Sequence, residues 1–212
     1  LLLFLDVEVT VLDPLPGYPD AHFVEDTAVM TPEIAVISRP GAPDRDGEQD
    51  AMAPVLAGMR PIERITAPGT LDGGDVLQVG SHFLIGISDR TNEEGARQLG
   101  AIVEKQGCTW APVPVGEGLH FKSSVNALDE KTLLVTADFA DRPELDAFEK
   151  VIVPKGEEYA ANSLLINGFI LIPKGFPKTR EQLDGRGLTT FMIPTSEFRK
   201  MDGGLTCLSL RW

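Results

Sequence analysis

Cysteine and histidine are the side chains of this sequence best suited to nucleophilic and acid–base chemistry, and both are scarce. The chain has 2 cysteines, Cys108 and Cys207, and 3 histidines, His22, His82 and His120. Cys207 follows an Asp-Gly-Gly bend and stands at the head of an apolar run. A cysteine in such a run is ordinarily buried and inert, but paired glycines open the backbone around the thiol. We therefore interpret Cys207 as a candidate reactive thiol.

His120 is the histidine in the most suggestive setting, because it follows a glycine-containing stretch and precedes a run of mixed polar and apolar residues. A single histidine is more often a structural imidazole than a catalyst. The position of His120 alone therefore leaves both interpretations open.

The segment 18–27 concentrates acids and an aromatic ring just ahead of a predicted strand. It contains Asp20, Phe23, Glu25 and Asp26. Crowded carboxylates raise one another's pKa and destabilise a protein unless a cation compensates. The arrangement is therefore typical of a guanidinium receptor, and the alternative is a turn with a solvated acidic edge.

A second acidic segment, 69–77, places Asp72 and Asp75 on either side of two glycines, again before a predicted strand. Glycine lets the backbone come close to a ligand. A plain hairpin also uses Gly and Asp, so this segment by itself indicates little.

Composition and charge exclude some classes of function. A chain of 212 residues with 42% hydrophobic composition can bury one core, so we expect a single domain over residues 1–212. The net charge of −13 argues against a nucleic-acid partner and favours a cationic small-molecule substrate, although it could simply keep the protein soluble. Two cysteines without a disulfide pattern and the lack of a membrane-length apolar run predict a soluble, cytoplasmic protein.

Short β-branched runs dominate the chain and predict a strand-rich fold. The predicted strands are Val7–Leu12, Thr27–Met30, Ile34–Ser38, Asp75–Val79, Phe83–Ser88, Thr132–Thr136, Val151–Pro154, Ser163–Ile166, Phe169–Ile172, Thr189–Ile193 and Cys207–Trp212. The predicted helices are Thr91–Gln106, with Thr91 and Glu94 at capping-box spacing, and the weaker Glu48–Met59, Pro143–Lys150, Thr179–Asp184 and Ser196–Lys200.

The order strand, strand, helix, strand restarts near Thr27, Asp75, Lys122 and Ser163. A period of roughly 40 to 50 residues is typical of repeat architectures, because one ββαβ unit cannot bury its own apolar face. The pattern favours blades around a pseudo-symmetry axis, with an ordinary α/β sandwich as the alternative.

Four segments in this order carry a resemblance to a known family: FVED (23–26), LDGGDV (71–76), GLHFKS (118–123) and DGGLTCLSLRW (202–212). Together they resemble the dimethylarginine dimethylaminohydrolases of the arginine deiminase and amidinotransferase superfamily. The resemblance covers essentially the whole chain. It implies a five-bladed α/β propeller of ββαβ modules, the pentein fold. The chain begins without Met, so we expect the first blade to be incomplete, its remaining strand, helix and lid lying upstream.

The resemblance also implies a role for each site residue. It assigns Cys207 as the nucleophile, His120 as the general acid and base, and Asp72 as the carboxylate that aligns the guanidinium. The implied substrate-binding residues are Asp26 as the second guanidinium-binding acid, Asp20 and Glu25 beside it, Phe23 against the guanidinium face, Arg45 and Arg90 on the substrate carboxylate, and Met201 near its amino end.

The implied reaction converts methylated arginines to citrulline through a Cys207 thiouronium intermediate, with neither metal nor cofactor. Four alternatives stay open: an arginine deiminase-like hydrolase, an amidinotransferase, a non-catalytic binding protein for arginine analogues, and a metal protein using His120, Cys207 and a carboxylate. The sequence also leaves a homodimer open.

Overall fold

Strands dominate the structure, a computed structural model that describes residues 1–116 and 120–212. In these residues the strands form four three-stranded sheets. Each sheet opens with an antiparallel hairpin, and its third strand lies parallel to the second. The strands are β1 (Ala28–Met30), β2 (Ala35–Ile37) and β3 (Ile62–Arg64); β4 (Val76–Val79), β5 (His82–Ile87) and β6 (Thr109–Pro114); β7 (Val125–Ala127), β8 (Thr132–Val135) and β9 (Glu149–Ile152); β10 (Leu164–Ile166), β11 (Phe169–Pro173) and β12 (Thr189–Ile193).

A parallel pair needs a crossover, and three of the four sheets use an α-helix for it. These are α1 (Glu48–Ala57), α2 (Glu93–Glu104) and α3 (Pro177–Asp184), and a short α4 (Ser196–Arg199) follows the last sheet. α2 buries Leu99 and Val103 completely, and the side chain of Asn92 caps its first turn by accepting a hydrogen bond from the Gly95 N–H. Between β8 and β9 the crossover consists of two 3-10 turns.

The apolar core is divided among the seams between neighbouring sheets. Val29 and Val36 of the first sheet pack with Phe83 and Ile85 of the second. A second cluster joins the second and third sheets, and a third cluster joins the third and fourth. Neighbouring modules therefore bury apolar residues against each other, as the repeat predicted, and the first module also packs its sheet against its own helix α1.

The predicted module starts agree with the observed hairpins, and most predicted strands and helices are confirmed within a few residues. Three predictions are wrong. Pro143–Lys150 is a 3-10 turn followed by β9, and neither Val7–Leu12 nor Cys207–Trp212 forms a strand. Pro143 fits the first turn of a helix, but Glu149–Ile152 pairs with β8 instead of extending it. The other two segments lack a strand to pair with in the described part of the chain.

The cap of α2 was also predicted incorrectly, since Asn92 occupies the position assigned to Thr91. Three observed strands were not predicted: β3, β6 and β7. The two prolines of β6 and the polar Asn126 of β7 weaken their strand signals. No helix among the described residues is both long enough and apolar enough to cross a membrane.

Candidate active site

Five 3-10 turns contact one another in a ring and position most of the predicted site residues. They are Val24–Thr27, Gly73–Asp75, Phe121–Ser123, Glu158–Ala161 and Thr206–Leu208. The first four each lead into the hairpin of one sheet, and the fifth carries Cys207. Asn162, which ends the fourth turn, closes the ring: its amide oxygen accepts a hydrogen bond from the Thr206 N–H at 3.0 Å.

Asp72, His120 and Asp26 form the centre of the site. The Nε2 atom of His120 lies 3.0 Å from Oδ2 of Asp72 and 3.7 Å from Oδ1 of Asp26. All three side chains are buried. Asp72 is held in turn by the Gly41 N–H, which donates to its Oδ1 at 3.0 Å, and Asp26 by the Gly74 N–H at 2.9 Å. Two acids that are 46 residues apart in the sequence thus face one imidazole.

The glycines of the LDGGDV segment allow this close approach. A Cβ on Gly73 would lie 2.0 Å from the Glu25 carbonyl oxygen, and one on Gly74 would lie 2.6 Å from the Asp26 carboxylate and 2.8 Å from the His120 ring. No side chain could be accommodated at either position without moving the site. Steric contact thus explains the paired glycines.

His120 titrates well above an ordinary histidine. Its burial lowers the pKa, but the charge of Asp26, the hydrogen bond to Asp72 and the charge of Asp75 outweigh burial and raise the pKa of His120 to about 9. The imidazole is therefore protonated at neutral pH, which is the state a general acid requires.

Arg45 lies against the predicted guanidinium-binding acids. Its guanidinium pairs with Asp26, donates to Glu48 at 2.6 and 3.0 Å, and donates to the Phe23 carbonyl at 3.0 Å. Arg45 is only 7% exposed. These contacts make it a fixed counter-ion of Asp26 in this structure, and its predicted role on the substrate carboxylate stays a prediction.

Glu25 is enclosed by donors from the chain itself. Its Oε1 accepts from Lys122 and Arg211, each at 2.7 Å, and its Oε2 accepts from the Thr206 hydroxyl at 2.8 Å. The side chain is buried. Contact between Glu25 and substrate is therefore also still a prediction, because both of its oxygens already accept hydrogen bonds.

Cys207 lies in the fifth turn and is 9% exposed. Its sulfur accepts a hydrogen bond from the Gly204 N–H at 3.4 Å. Burial and the charges of Glu25 and Asp26 raise the pKa of Cys207 to about 12, although the Gly204 N–H and Lys122 act in the opposite direction. Asp26 therefore acts on both the thiol and His120, and the thiol is protonated at neutral pH.

Arg90 follows β5 in a loop that borders the central acids. The Gly41 backbone, which donates to Asp72, leaves no room for a side chain because a Cβ there would lie 2.2 Å from the Arg90 carbonyl oxygen. The buried Nη1 of Arg90 has no hydrogen-bond partner among the residues that the structure describes. Buried guanidinium nitrogens normally donate hydrogen bonds, so Nη1 of Arg90 is available to donate to an anionic ligand.

Asp75 connects the Arg90 loop to His120. Its Oδ1 accepts from the Phe121 N–H at 2.8 Å, and its Oδ2 accepts from the Ser88 hydroxyl at 2.6 Å. The Ser88 oxygen in turn accepts from the Arg90 N–H. Burial raises the pKa of Asp75, and the charge of His120 lowers it.

The remaining predicted residues lie at the periphery. The ring of Phe23 packs on His22 with centroids 4.0 Å apart and leaves no space for a side chain at Gly203. Asp20 is half-buried and contacts Arg45 through its carbonyl oxygen, and Met201 is exposed in the turn after α4. Gly118 and Leu119 of the GLHFKS segment lie outside the described residues.

Several residues of the site were not predicted as such: Glu48, Asp75, Lys122, Asn162, Thr206 and Arg211. Asp75, Lys122, Thr206 and Arg211 stand inside the quoted motifs, so their proximity in sequence to Asp72, His120 and Cys207 was a usable signal. Arg211 contacts Glu25 across 186 residues, and no local pattern could have indicated that contact.

The central residues also have the spacing of metal ligands. One ligand atom from each of Asp26, Asp72 and His120 lies within 4.8 Å of the other two, and the sulfur of Cys207 is not part of this group. The predicted alternative of a metal bound by His120, Cys207 and an acid thus differs from the observed cluster. Asp26 already binds Arg45 and the Gly74 N–H.

The four hairpin-led sheets and the ring of five turns define an α/β propeller of the arginine deiminase and amidinotransferase superfamily, with four complete blades in the described residues. A relative from Pseudomonas aeruginosa, a dimethylarginine dimethylaminohydrolase, is 42% identical over 98% of this chain and 82% of its own length. An enzyme of the same name from Streptomyces coelicolor is 37% identical over 96% and 79%. The chain belongs to the dimethylarginine dimethylaminohydrolase family.

Solved structures agree with this assignment. A cysteine-to-serine variant of the Pseudomonas aeruginosa enzyme, complexed with citrulline, superposes with a TM-score of 0.97 at 41% identity, covering 100% of this chain and 84% of that chain. The N-terminal domain of the arginine dihydrolase ArgZ shares the fold, with a TM-score of 0.83 at 19% identity over 93% of this chain and 77% of its own. No model of a protein family matches the sequence.

Proposed function

We propose that this protein hydrolyses Nω-methylated arginines to citrulline and dimethylamine or methylamine. The observation that carries the proposal is the convergence of two buried acids, Asp26 and Asp72, on a protonated His120, with Cys207 in a turn that contacts the turn of Asp26. Relatives that share more than a third of the sequence carry the name of this activity.

Substrate binding follows from the charges of the site. The guanidinium of the substrate would bind against Asp72 and Asp26, which localise its positive charge and make the central carbon more electrophilic. The buried Nη1 of Arg90, which has no hydrogen-bond partner among the described residues, would bind the substrate carboxylate. The two ends of an arginine derivative thus match opposite charges on the protein.

Bound substrate would also activate the thiol. Without a ligand, burial and the charges of Glu25 and Asp26 disfavour the Cys207 thiolate and raise the pKa of the thiol to about 12. A guanidinium placed beside the sulfur removes much of that penalty, because a nearby positive charge favours the anionic form. Activation on substrate arrival explains how a thiol that is protonated at rest serves as a nucleophile.

The chemistry proceeds in two steps. The Cys207 thiolate attacks the guanidinium carbon, and the departing amine takes a proton from His120, which leaves a covalent thiouronium. His120, now neutral, takes a proton from a water molecule that attacks the same carbon. The carbon–sulfur bond breaks, the sulfur leaves as thiolate, the proton on the new oxygen passes to solvent, and citrulline is released.

The two cysteines provide a matched test. Cys207→Ser should form no citrulline from dimethylarginine, whereas Cys108→Ser should retain near wild-type turnover, because Cys108 lies before β6 and packs against the core cluster of the first two sheets. Acid-quenched wild-type enzyme should carry the thiouronium mass on the Cys207 peptide. Undiminished turnover by Cys207→Ser contradicts the assignment.

Turnover of unmethylated arginine distinguishes methylarginine hydrolysis from the deiminase-like alternative. Citrulline formation from dimethylarginine, monomethylarginine and arginine should be measured side by side with the same enzyme. We expect the methylated substrates to be preferred, and turnover of plain arginine alone would favour the deiminase-like alternative. A protein that binds arginine analogues without converting any of them would be a binding protein.

We further propose that residues 1–212 act as one domain in the cytoplasm, where both cysteines would stay reduced; both are free in the structure. A homodimer is also a proposal, and sedimentation of the purified protein tests it.

A further inference from the structure

The Arg211 side chain, which has no role in the proposed reaction, forms hydrogen bonds to the segment that carries Cys207. Arg211 donates from Nη1 to the Thr206 and Ser209 carbonyl oxygens at 3.0 and 2.8 Å, and to the Ser209 hydroxyl at 2.7 Å. Its Nη2 donates to Glu25 at 2.7 Å. One guanidinium therefore ties both ends of the nucleophile turn to an acid in the first turn of the ring.

Glu25 needs these cations. It is buried, and the Lys122 ammonium also binds its Oε1 at 2.7 Å. A buried carboxylate next to a sulfur opposes formation of the thiolate, and two cations on that carboxylate offset the effect. The three charges sum to +1, whereas Glu25 alone would contribute −1.

We propose that Arg211 is a positioning residue for Cys207: it holds the turn 206–209 against Glu25 and, together with Lys122, neutralises the negative charge that Glu25 places beside the thiol. This inference deepens the proposed function and depends on it only for the identity of the nucleophile. Arg211 needs no contact with substrate for this role.

Other groups near Cys207 change the pKa of the thiol or bind its sulfur. Glu25 and Asp26 of the first turn raise the pKa of Cys207, Lys122 of the third turn lowers it, and the Gly204 N–H binds the sulfur. Tyr159 of the fourth turn is close enough for Cys207 to influence its own pKa. The Arg211 side chain is 31% exposed, against 9% for Lys122 and 3% for Glu25.

The test is alkylation of Cys207 by iodoacetamide without substrate, in a Cys108→Ser background so that one thiol reports. Arg211→Ala should slow alkylation between pH 7 and 10 by about tenfold, the change in thiolate fraction that one pKa unit produces. Arg211→Lys keeps the charge but loses the bonds to the carbonyl oxygens, so its alkylation should stay near wild type while kcat/KM for citrulline formation falls severalfold.

Arg97→Ala is the matched control, because Arg97 pairs with Glu94 on the exposed face of α2; its alkylation and kcat/KM should be unchanged. Unchanged or faster alkylation of Arg211→Ala would overturn the inference. So would an Arg211→Lys variant that behaves like Arg211→Ala in the alkylation assay. Because alkylation needs no substrate, failure of wild type to form citrulline would reject the proposed function and leave this result standing.

Discussion

Glu25 and Asp26 are neighbours in the chain, both are buried, and both carry cationic partners, yet they are left in different states. Glu25 accepts hydrogen bonds on both oxygens from Lys122, Arg211 and Thr206. Asp26 pairs with Arg45 through one oxygen and presents the other to the Gly74 N–H and to His120.

The difference shows that acid content alone does not identify a cation site. A carboxylate whose lone pairs are filled by the protein's own donors supports the structure, whereas one that faces an imidazole can still take part in binding and proton transfer. The two adjacent acids therefore have different roles. Glu25 stabilises the turn that carries Cys207, and Asp26 faces the groups that would react.

Among substitutions of the buried acids, Asp26→Asn should have the largest effect on activity. The amide is nearly isosteric, but the variant loses a negative charge beside both His120 and the expected guanidinium, so kcat/KM should fall by roughly a thousandfold, comparable to loss of a charge-stabilising group in an active site. Steady-state citrulline assays measure this. The stability of the variant should change less than its activity, because Arg45 keeps Glu48 as a partner.

Glu25→Gln should show the reverse. It leaves Lys122 and Arg211 without their buried counter-charge, and breaking a buried ion pair from one side typically destabilises a protein by about 3 kcal/mol or more. Urea denaturation measures the loss. If Glu25→Gln were as stable as wild type but lost activity like Asp26→Asn, the division between the two acids would be wrong.

The sequence predicted most of the site residues but not the different roles of Glu25 and Asp26. Local patterns are enough for α2 and for the starts of the four hairpins, because turn residues and apolar spacing are local. The contact of Arg211 with Glu25 depends on how the ring of turns closes, and it contradicts the strand predicted for Cys207–Trp212. The apolar residues of that segment pack without a partner strand, as Leu210 does against the first module.

Because His120 is protonated in the folded protein, the free energy of unfolding should depend on pH. Its folded pKa of about 9 exceeds the ordinary histidine value of 6.5, so its contribution to stability is complete below about pH 6.5 and is lost as the pH rises through 9. Unfolding free energy should fall by roughly 3 to 4 kcal/mol over that window, since one pKa unit corresponds to about 1.4 kcal/mol. His82→Gln should keep the wild-type dependence of unfolding free energy on pH. Burial lowers the pKa of His82, so His82 titrates below the pH range in which His120 loses its proton. A His120→Gln variant with the wild-type slope would refute the assignment.

Asp75→Asn should have the smallest effect. Asp75 is a buried acid that forms no ion pair with Lys or Arg among the described residues; its partners are Ser88 and Phe121. The amide oxygen can still accept from the Phe121 N–H, so the segment after His120 should stay in place. What changes is the charge: without Asp75 the pKa of His120 falls, because that carboxylate is one of the charges that raise it. The basic limb of the pH–rate profile should then move to lower pH, and a limb that moves by about one pH unit lowers kcat on its basic side by about tenfold. Asp138→Asn, on an exposed turn, should leave the limb unchanged. A basic limb that stays at its wild-type position in Asp75→Asn would show that Asp75 acts only through its hydrogen bonds to Ser88 and Phe121, in the way that Glu25 supports the thiol turn.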